Sequence, residues 1–138
     1  NAHPDVVTSI AIGLPDPYAG ELPMAYVVKV ANSSLSEQDL IVHCAKTMSE
    51  RAAIPKRIEF IDAMPLTAVG KIFRPTLRQK ISEQVIRELL AKEEIAADVS
   101  SDLEKKRGLV LRIDVTDKAK IDAVNKLVEG YIFTSEVN

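Results

Sequence analysis

One lysine, Lys71, lies in a setting suited to binding or catalysis. The run MPLTAVGKIFRPTLR (Met64–Arg78) places a Gly-Lys pair after a proline and a short flexible stretch, and a helix is predicted to begin at Arg74 and Pro75. Lys71 is therefore predicted to occupy the tip of a loop, where protein scaffolds commonly present binding and catalytic groups. The glycine before it, Gly70, lets the backbone approach a ligand closely.

A phosphate-binding P-loop is the obvious alternative for this run, but the residues exclude it. The P-loop pattern is G-x-x-x-x-G-K-[ST], with glycines that bring the backbone to the phosphates and a hydroxyl that contacts Mg²⁺. Pro65 stands at the first glycine position, and Ile72 replaces the hydroxyl residue. Lys71 is therefore not a P-loop lysine.

The run resembles the C-terminal signature of the AMP-forming acyl-CoA synthetases and their adenylating relatives, P-x-T-x-x-G-K-[IV]-x-R. The matching positions are Pro65, Thr67, Gly70, Lys71, Ile72 and Arg74. Two further stretches resemble the small C-terminal domain of these enzymes, HPDVVTSIAIGLPDPYAGELPMAYVV (His3–Val28) and IPKRIEFID (Ile54–Asp62). The resemblance covers roughly residues 3–80 and does not extend to residues 81–138.

The resemblance implies a reaction and a role for Lys71. In this family, ATP and a carboxylic acid give an acyl-adenylate and pyrophosphate, and the sulfur of CoA then displaces AMP, with Mg²⁺ present in the full-length enzyme. The first step brings a carboxylate towards an α-phosphate that is already anionic, and the Lys71 ammonium supplies a positive charge on a flexible stem. The resemblance also implies that Gly70 lets the backbone pass close to the nucleotide. It implies that Thr67 holds the loop in place through a side-chain bond.

A second candidate site is the loop that contains Gly20 and Glu21. The C-terminal domain of this family is a hinged lid that presents different faces to the active site in the two half-reactions. The resemblance implies that the Gly20-Glu21 region faces the large domain during thioester formation, where backbone lines the tunnel for CoA. From the residues alone this loop is a turn between two strands, and that alternative stays open.

The implied partner is the N-terminal adenylate-forming domain of the same polypeptide. The family's phosphate loop, adenine-binding segment and hinge motif are absent, so we expect this chain to be a fragment that begins after the hinge. We expect it to be inactive and to bind ATP weakly or not at all by itself. Relatives often carry an aromatic-basic pair where this chain has Ala52-Ala53, which puts the local docking against the large domain in doubt.

Two other functions compete with a CoA ligase lid. One is the lid of an adenylation domain that loads a carrier protein; residues 81–138 contain no Gly-Gly pair of the kind found at a phosphopantetheine site, which favours the CoA ligase. The other is a non-catalytic binding or oligomerisation module. The acyl pocket of this family lies in the large domain, so overall similarity alone suggests a fatty or other simple carboxylic acid as substrate.

Composition and charge limit the remaining possibilities. The 138 residues are 46% hydrophobic and 28% charged, with a net charge of −2, which is ordinary for one globular domain. No apolar run approaches the length of a membrane span, and we expect a cytoplasmic protein. The basic segment, residues 56–80, suits an anionic ligand, but 4% aromatic content without tryptophan makes nucleic acid a poor partner.

Three residue types that often carry chemistry are interpreted here as structural. The single cysteine, Cys44, lies among apolar positions of a predicted helix and is expected to be a small buried residue. His3 and His43 have no companion at the spacing of a metal site or a catalytic triad. We expect both histidines to be structural or solvated.

The element order of the lid, residues 1–80, is predicted as β-β-α-β-α, an α+β fold with a small mixed sheet of about three strands covered by helices. The predicted strands are Val6–Ile12, ended by Gly13, then Met24–Val30 and Arg57–Ile61. A helix begins at Ser36, which forms a near capping box with Asp39. The second helix has a predicted apolar stripe of Leu77, Ile81, Val85 and Leu89.

An accessory β-α-β unit is predicted over residues 108–138, after a helix and acidic, helix-prone connector over 81–107. Leu109–Val115 alternates as a strand, Thr116 can cap a helix ended by Gly130, and Tyr131–Phe133 is predicted to be the closing strand. About thirty residues are too few for an independent core, so this unit is expected to pack on the first. Structural elaboration or a subunit contact is its expected role.

Overall fold

A computed structural model describes residues 3–49 and 53–138 of the chain. The strands and helices of these residues are β1 (Val6–Asp16), β2 (Gly20–Lys29), α1 (Glu37–Thr47), β3 (Arg57–Phe60), α2 (Arg74–Lys92), β4 (Ala97–Glu104), β5 (Gly108–Val115), α3 (Ile121–Val128) and β6 (Thr134–Val137). The first five follow the predicted β-β-α-β-α order, and the α+β class is confirmed. Ala52, part of the doubtful docking pair, lies outside the described residues.

The residues divide into two compact units. The first takes in the described residues up to Leu14 together with Glu21–Arg74, and the second takes in Pro15–Gly20 and Pro75–Asn138. Each unit contains one three-stranded sheet, in the order β1-β2-β3 and β4-β5-β6. The predicted division into residues 1–80, 81–107 and 108–138 stays a prediction.

The sheet of the first unit is built around β2. Strand β3 pairs with it in parallel, from Met24 opposite Arg57 to Val27 opposite Phe60, and α1 makes the crossover that parallel pairing requires. The core beneath α1 has four buried members, Val27, Leu35, Leu40 and Ile58. Since successive side chains of a strand alternate in direction, Met24 and Tyr26 point to the opposite face, where both are fully buried.

Helix α1 begins as its sequence predicts. The hydroxyl of Ser36 accepts a hydrogen bond from the backbone N–H of Asp39, and the Asp39 carboxylate accepts one from the backbone N–H of Ser36. This reciprocal capping box satisfies two amide groups that the helix cannot pair internally. The hydrogen bonds from Ser36, backbone and side chain, hold the pKa of the Asp39 carboxyl below its usual value.

The second unit encloses its own apolar core. Strand β4 runs antiparallel to β5 from Ala97 opposite Val115 to Glu104 opposite Gly108, and β6 runs parallel to β5 after the α3 crossover. The eight buried residues of this core come from α2, α3 and the strands β4 and β5: Ile86, Leu90, Val99, Leu111, Ile113, Val115, Val124 and Val128. The predicted β-α-β segment is therefore completed by α2 and by one further strand.

That further strand, β4, contradicts the prediction of a helix-prone acidic connector. Its sequence, ADVSSDLE, places Ala97, Val99 and Leu103 at alternate positions, but Ser101 interrupts this series and aspartate, glutamate and alanine are depleted in strands, so the strand signal is weak. Its acids are instead used across the sheet: Arg112 on β5 pairs with Asp102 and Glu104 of β4 and with Glu136 of β6. The strand is stabilised by its hydrogen-bond ladder with β5 and by these ion pairs, and both depend on a neighbour that the local sequence does not reveal.

Helix α2 also covers the open edge of β4. The Arg87 guanidinium donates a hydrogen bond to the carbonyl oxygen of Val99 (2.7 Å), and the Gln79 amide donates one to the carbonyl oxygen of Ser101 (3.3 Å). Unpaired backbone groups on an edge strand invite association with other chains, and covering them is a common protection. The hydroxyl of Ser101 additionally donates a short hydrogen bond to the Glu83 carboxylate.

Smaller predictions about the helices and the last strand need correction. The buried apolar positions of α2 after Ile81 are Ile86 and Leu90 rather than Val85 and Leu89, because a 3.6-residue period drifts away from strict four-residue spacing. Asp117, not Thr116, supplies the cap: its carboxylate accepts a hydrogen bond from the N–H of Ala119 at a 3₁₀ turn that precedes α3.

The predicted closing strand Tyr131–Phe133 is wrong, since β6 begins at Thr134, the residue after that segment ends. The rings of Tyr131 and Phe133 stack with centroids 5.3 Å apart and pack against the core of the second unit. Their apolar alternation therefore reflects packing rather than strand pairing.

We predict that Ser36→Ala lowers the free energy of unfolding by about 1 kcal/mol, because the α1 capping bond is lost. Ser34→Ala is the matched control: Ser34 is exposed, and the structure gives its hydroxyl no hydrogen bond to any described residue. Denaturant unfolding at neutral pH compares the two variants. Equal stability of both variants would contradict the capping role.

Tyr26 gives a second test, based on pH. Its ring is fully buried, its hydroxyl has no hydrogen-bond partner among the described residues, and burial raises its pKa above the ordinary value of 10.0. The folded state therefore disfavours ionisation, so the stability that Tyr26 contributes is intact below pH 10 and falls as the pH rises above it. Tyr26→Phe removes an unpaired polar group and is expected to match or exceed wild-type stability at pH 7.

We expect Tyr26→Phe to lose less stability between pH 9 and pH 11 than the wild type, measured by denaturant unfolding across that range. The control is Tyr18→Phe, because Tyr18 is 96% exposed and its change should leave the alkaline slope as it is. An unchanged slope in Tyr26→Phe would show that another group governs alkaline unfolding.

Candidate functional site

The Gly-Lys run folds into a small hydrogen-bonded hairpin, which we call the signature hairpin and define as Pro65–Phe73. The N–H of Thr67 donates to the carbonyl oxygen of Lys71 (2.7 Å), and the N–H of Phe73 donates to that of Pro65 (2.8 Å). Between these bonds, Leu66 and Ile72 form an antiparallel bridge. Lys71 is thus held in a backbone ladder just past the turn.

The turn itself depends on Thr67 and Gly70. The N–H of Gly70 donates to the carbonyl oxygen of Thr67 (3.0 Å), and the N–H of Lys71 donates to the Thr67 hydroxyl (3.2 Å). Gly70 has a φ of +82°, in the left-handed region that glycine adopts without steric cost. A side chain there would meet no atom within 4 Å, so backbone conformation rather than crowding selects glycine. The side-chain bond expected of Thr67 is present.

The Lys71 side chain is exposed and has no ion pair or hydrogen bond to any residue in the described part of the chain. Its hairpin also presents apolar side chains to solvent: Val69 is 80% exposed and Leu66 is 60% exposed. An unpaired ammonium beside exposed apolar groups can enter an anionic pocket without first breaking an internal contact. An internal ion pair would have contradicted the predicted role of Lys71, and none is found among the described residues.

Arg74 follows the signature hairpin and begins α2. Its guanidinium Nη1 donates a hydrogen bond of 2.6 Å to the carbonyl oxygen of Ala11 on β1. Sequence analysis placed Arg74 in the motif without giving it a function. The contact spans more than sixty residues of chain, and no local pattern reveals it.

The predicted Gly20-Glu21 site lies at a different hairpin, the one formed by β1 and β2. The carboxylate of Asp16 accepts hydrogen bonds from the N–H groups of Tyr18 (3.0 Å) and Ala19 (2.8 Å), which fixes the turn. Gly20 completes it with a φ of +79°. The turn begins after Asp16, so β1 continues past Gly13, where the sequence predicted its end.

Glu21 folds back across this hairpin. A Cβ atom at Gly13 would lie 2.4 Å from the Glu21 carboxylate, so the absence of a side chain at residue 13 makes room for that group. Gly13 was predicted only to end a strand. Glycine inside a strand often marks a close approach, and this signal could have identified it.

The remaining candidate groups form no reactive constellation. The rings of His3 and His43 meet edge to face with centroids 5.1 Å apart, and the His3 Nδ1 accepts a hydrogen bond from the N–H of Asp5. Cys44 is half-buried rather than buried. Within residues 3–49 and 53–138, no group of three or more His, Cys, Asp or Glu side chains could hold a metal ion. No helix of this part of the chain is long and apolar enough to cross a membrane.

Comparison with known proteins decides the family. The AMP-binding enzyme C-terminal domain family matches residues 1–71, a span that ends at the lysine of the signature hairpin. The chain belongs to this family. The resemblance seen in the motifs is therefore confirmed.

The relatives of this AMP-binding enzyme C-terminal domain are much longer than the chain. It is 39% identical over 102 residues to the marinolic acid–CoA ligase of Pseudoalteromonas sp. (strain SANK 73390), covering 74% of this chain and 16% of that protein. It is 36% identical over 77 residues to the peroxisomal trans-cinnamate:CoA ligase of Petunia hybrida, covering 56% of this chain and 13% of that one. The chain thus spans less than a fifth of these relatives.

Solved structures agree with the fold of the domain. A fatty acyl CoA synthetase of Mycobacterium tuberculosis matches with a TM-score of 0.55 and 35% identity, covering 60% of this chain and 16% of that one. Apo MatB from Rhodopseudomonas palustris matches with a TM-score of 0.57 and 28% identity, with the same coverage.

The similarity also extends further than the motifs indicated. An alignment of 102 residues within a 138-residue chain must pass residue 80, so the marinolic acid–CoA ligase shares sequence with this chain beyond the segment first identified.

We predict that Gly70→Ala destabilises the folded chain by about 1 kcal/mol, because a Cβ atom is unfavourable in the left-handed region. Gly70→Asn is the matched comparison and should cost less, since asparagine tolerates that conformation. Thermal unfolding of the two variants beside the wild type measures the difference. If alanine were tolerated as well as asparagine, backbone conformation would not explain the glycine.

Proposed function

We propose that this chain is the C-terminal lid of an ATP-dependent, AMP-forming acid–CoA ligase, and that Lys71 serves its adenylation step. The observation that carries the proposal is the exposed Lys71 ammonium, which has no ion pair or hydrogen bond to any described residue and lies on a hydrogen-bonded hairpin where the segment that matches the family ends. The named relatives that are CoA ligases support the same class of reaction. The lid would act on an active site completed by an N-terminal adenylate-forming domain of the same polypeptide.

The proposed role of Lys71 is electrostatic. In adenylation, a carboxylate oxygen bonds to the α-phosphorus of ATP while the bond to pyrophosphate breaks, and negative charge crowds the reacting oxygens. An ammonium group about 4 Å away contributes roughly 4 kcal/mol at an effective dielectric of 20. After desolvation is subtracted, removal of this charge is expected to slow adenylation by about 10²-fold or more.

The geometry of the signature hairpin supports separate roles for Thr67 and Gly70 beside the Lys71 ammonium. Thr67 holds the N–H of Lys71 through its hydroxyl, and Gly70 keeps the turn free of a side chain on the approach to the nucleotide. Both residues are proposed to position backbone against ATP. The Mg²⁺ expected with ATP is assigned to no residue of this chain.

The second face of the lid is proposed to include Gly20 and Glu21, which would line the path of CoA during thioester formation. The turn that precedes them is fixed by the Asp16 carboxylate, so backbone at this point is presented in one conformation.

Residues 1–80 are proposed as the lid, residues 81–107 as its helix and connector, and residues 108–138 as an accessory extension. A carboxylic acid is the proposed substrate, and the cytoplasm is the proposed location.

The decisive variant is Lys71→Ala in the full-length protein that carries this chain. The rate of adenylation, measured as acid-dependent exchange of pyrophosphate into ATP, should fall by about 10²-fold or more. Thioester formation from supplied acyl-adenylate and CoA should largely survive, because that half-reaction uses another face of the lid.

Lys80→Ala is the matched control, since it removes one exposed positive charge from the same basic segment without touching the hairpin. It should leave both half-reactions close to wild type. Equal loss of the two half-reactions in Lys71→Ala would point to misfolding or to a different role, and unchanged adenylation would refute the proposal.

A further inference from the structure

Arg74 stands where the signature hairpin ends and α2 begins, three residues after Lys71. Its guanidinium reaches back to the first strand and donates a hydrogen bond to the carbonyl oxygen of Ala11 at 2.6 Å. Because β1 is an edge strand of its sheet, an outward carbonyl there has no partner strand to pair with. The contact therefore ties the end of the hairpin to the sheet of the first unit.

The signature hairpin needs such a tie because its own bonds do not fix its position. The ladder joins hairpin residues only to one another, as in Thr67 to Lys71 and Phe73 to Pro65. Between the hairpin and the sheet lies an open groove of about 430 Å³, lined in part by Thr8 and Val28 on one side and by Leu66, Gly70 and Ile72 on the other. The backbone bonds of the hairpin are thus internal, and a groove separates part of it from the strands below.

Among the described residues, two hydrogen bonds join the stretch of residues 61–74 to that sheet. At its start, the N–H of Ile61 donates to the carbonyl oxygen of Val27 (3.0 Å), which continues the β3 ladder. At its end, Arg74 donates to Ala11. Ten residues separate Ile61 from Lys71, whereas three separate Lys71 from Arg74, so the placement of the lysine depends mainly on the arginine.

We infer that Arg74 is a positioning residue for adenylation: its bond to the Ala11 carbonyl sets where the lid presents Lys71. The inference rests on the proposed function of Lys71. Arg74 then contacts neither ATP nor the acid, and its effect on the reaction passes through the lysine. A displacement of about 1 Å at a reacting group can lower a rate by about 10²-fold, so a single tether near the lysine is enough to matter.

The chemistry of arginine suits this task. The guanidinium offers five N–H donors in a planar fork, one of which donates to the Ala11 carbonyl oxygen. Lysine offers a single charged donor group on a more flexible stem, so it can restore the bond with a less defined geometry. The two residues predict a graded result, with partial function for Arg74→Lys and greater loss for alanine.

The test is a double-mutant cycle in the full-length protein, with Lys71→Ala, Arg74→Ala and both changes together. Arg74→Ala should lower the rate of adenylation by about 10-fold or more at saturating ATP, with little change in the ATP concentration at half-maximal rate. Thioester formation from supplied acyl-adenylate should stay near wild type. In the Lys71→Ala background, Arg74→Ala should cause no further loss, because the group that it positions is gone.

Two additional variants separate positioning from charge and from folding. Arg78→Ala removes an exposed arginine one helical turn later, for which the structure shows no partner among the described residues, and should leave adenylation unchanged. Arg74→Lys should recover part of the lost rate, and Arg74→Gln, a good helix former, repeats the test if alanine impairs folding. Thermal unfolding identifies any variant that fails to fold.

The outcomes distinguish this inference from the proposed function beneath it. A large effect of Lys71→Ala, with Arg74→Ala no worse than Arg78→Ala, overturns the inference and leaves the proposed function standing. Losses that multiply in the double variant also overturn it, since Arg74 would then act on its own. If Lys71→Ala leaves adenylation intact, both the proposed function and the inference fail.

Discussion

The site depends on the short backbone ladder that closes the signature hairpin. With Thr67 paired to Lys71 and Phe73 paired to Pro65, the turn between them has few conformations, and the Thr67 hydroxyl removes further freedom by accepting the N–H of Lys71. The Lys71 side chain is exposed and makes no ion pair or hydrogen bond to any residue in the described part of the chain. A rigid backbone under a free ammonium suits a group that must act in a pocket formed elsewhere, because little ordering entropy remains to be lost on docking.

The second unit shows how a strand can form from residues that carry only a weak strand pattern. Its central arginine, Arg112, contacts carboxylates on both neighbouring strands, while Arg107 pairs with Glu104 and Glu136. Isolated surface ion pairs contribute little, but a network shares the entropy cost of ordering its members. The apolar side chains of α2 and α3 also pack with those of β4 and β5 in one core, which contributes four buried residues from helices and four from strands.

Much of the fold could be predicted from local signals. Ser36 and Asp39 have the spacing of a capping box and form one, and Ile58 and Phe60 alternate with charged residues along a strand. Within the site, the Gly-Lys motif predicted one loop for Thr67, Gly70 and Lys71, and the structure has Thr67 and Gly70 at the turn and Lys71 in the ladder just past it. Strand β4 carries only a weak alternating signal and the start of β6 carries none, and the pairing of both is defined by β5, which lies elsewhere in the sequence. The structural role of Gly13 depends on its neighbour in space Glu21, and that of Arg74 depends on Ala11.

The sequence by itself determined the family and the α+β class, and it predicted that Lys71 lies in a loop, because motif spacing and capping act over a few residues. Tertiary structure decided what surrounds that residue: that Lys71 is free of ion pairs among the described residues, that Arg74 is bonded to β1, and that the Glu21 carboxylate lies over Gly13. The physical reason is the distance along the chain between the residues that interact. Local hydrogen bonding is encoded in neighbouring residues, whereas the partner of a long side chain depends on which distant segment the folded chain brings within about 3 Å.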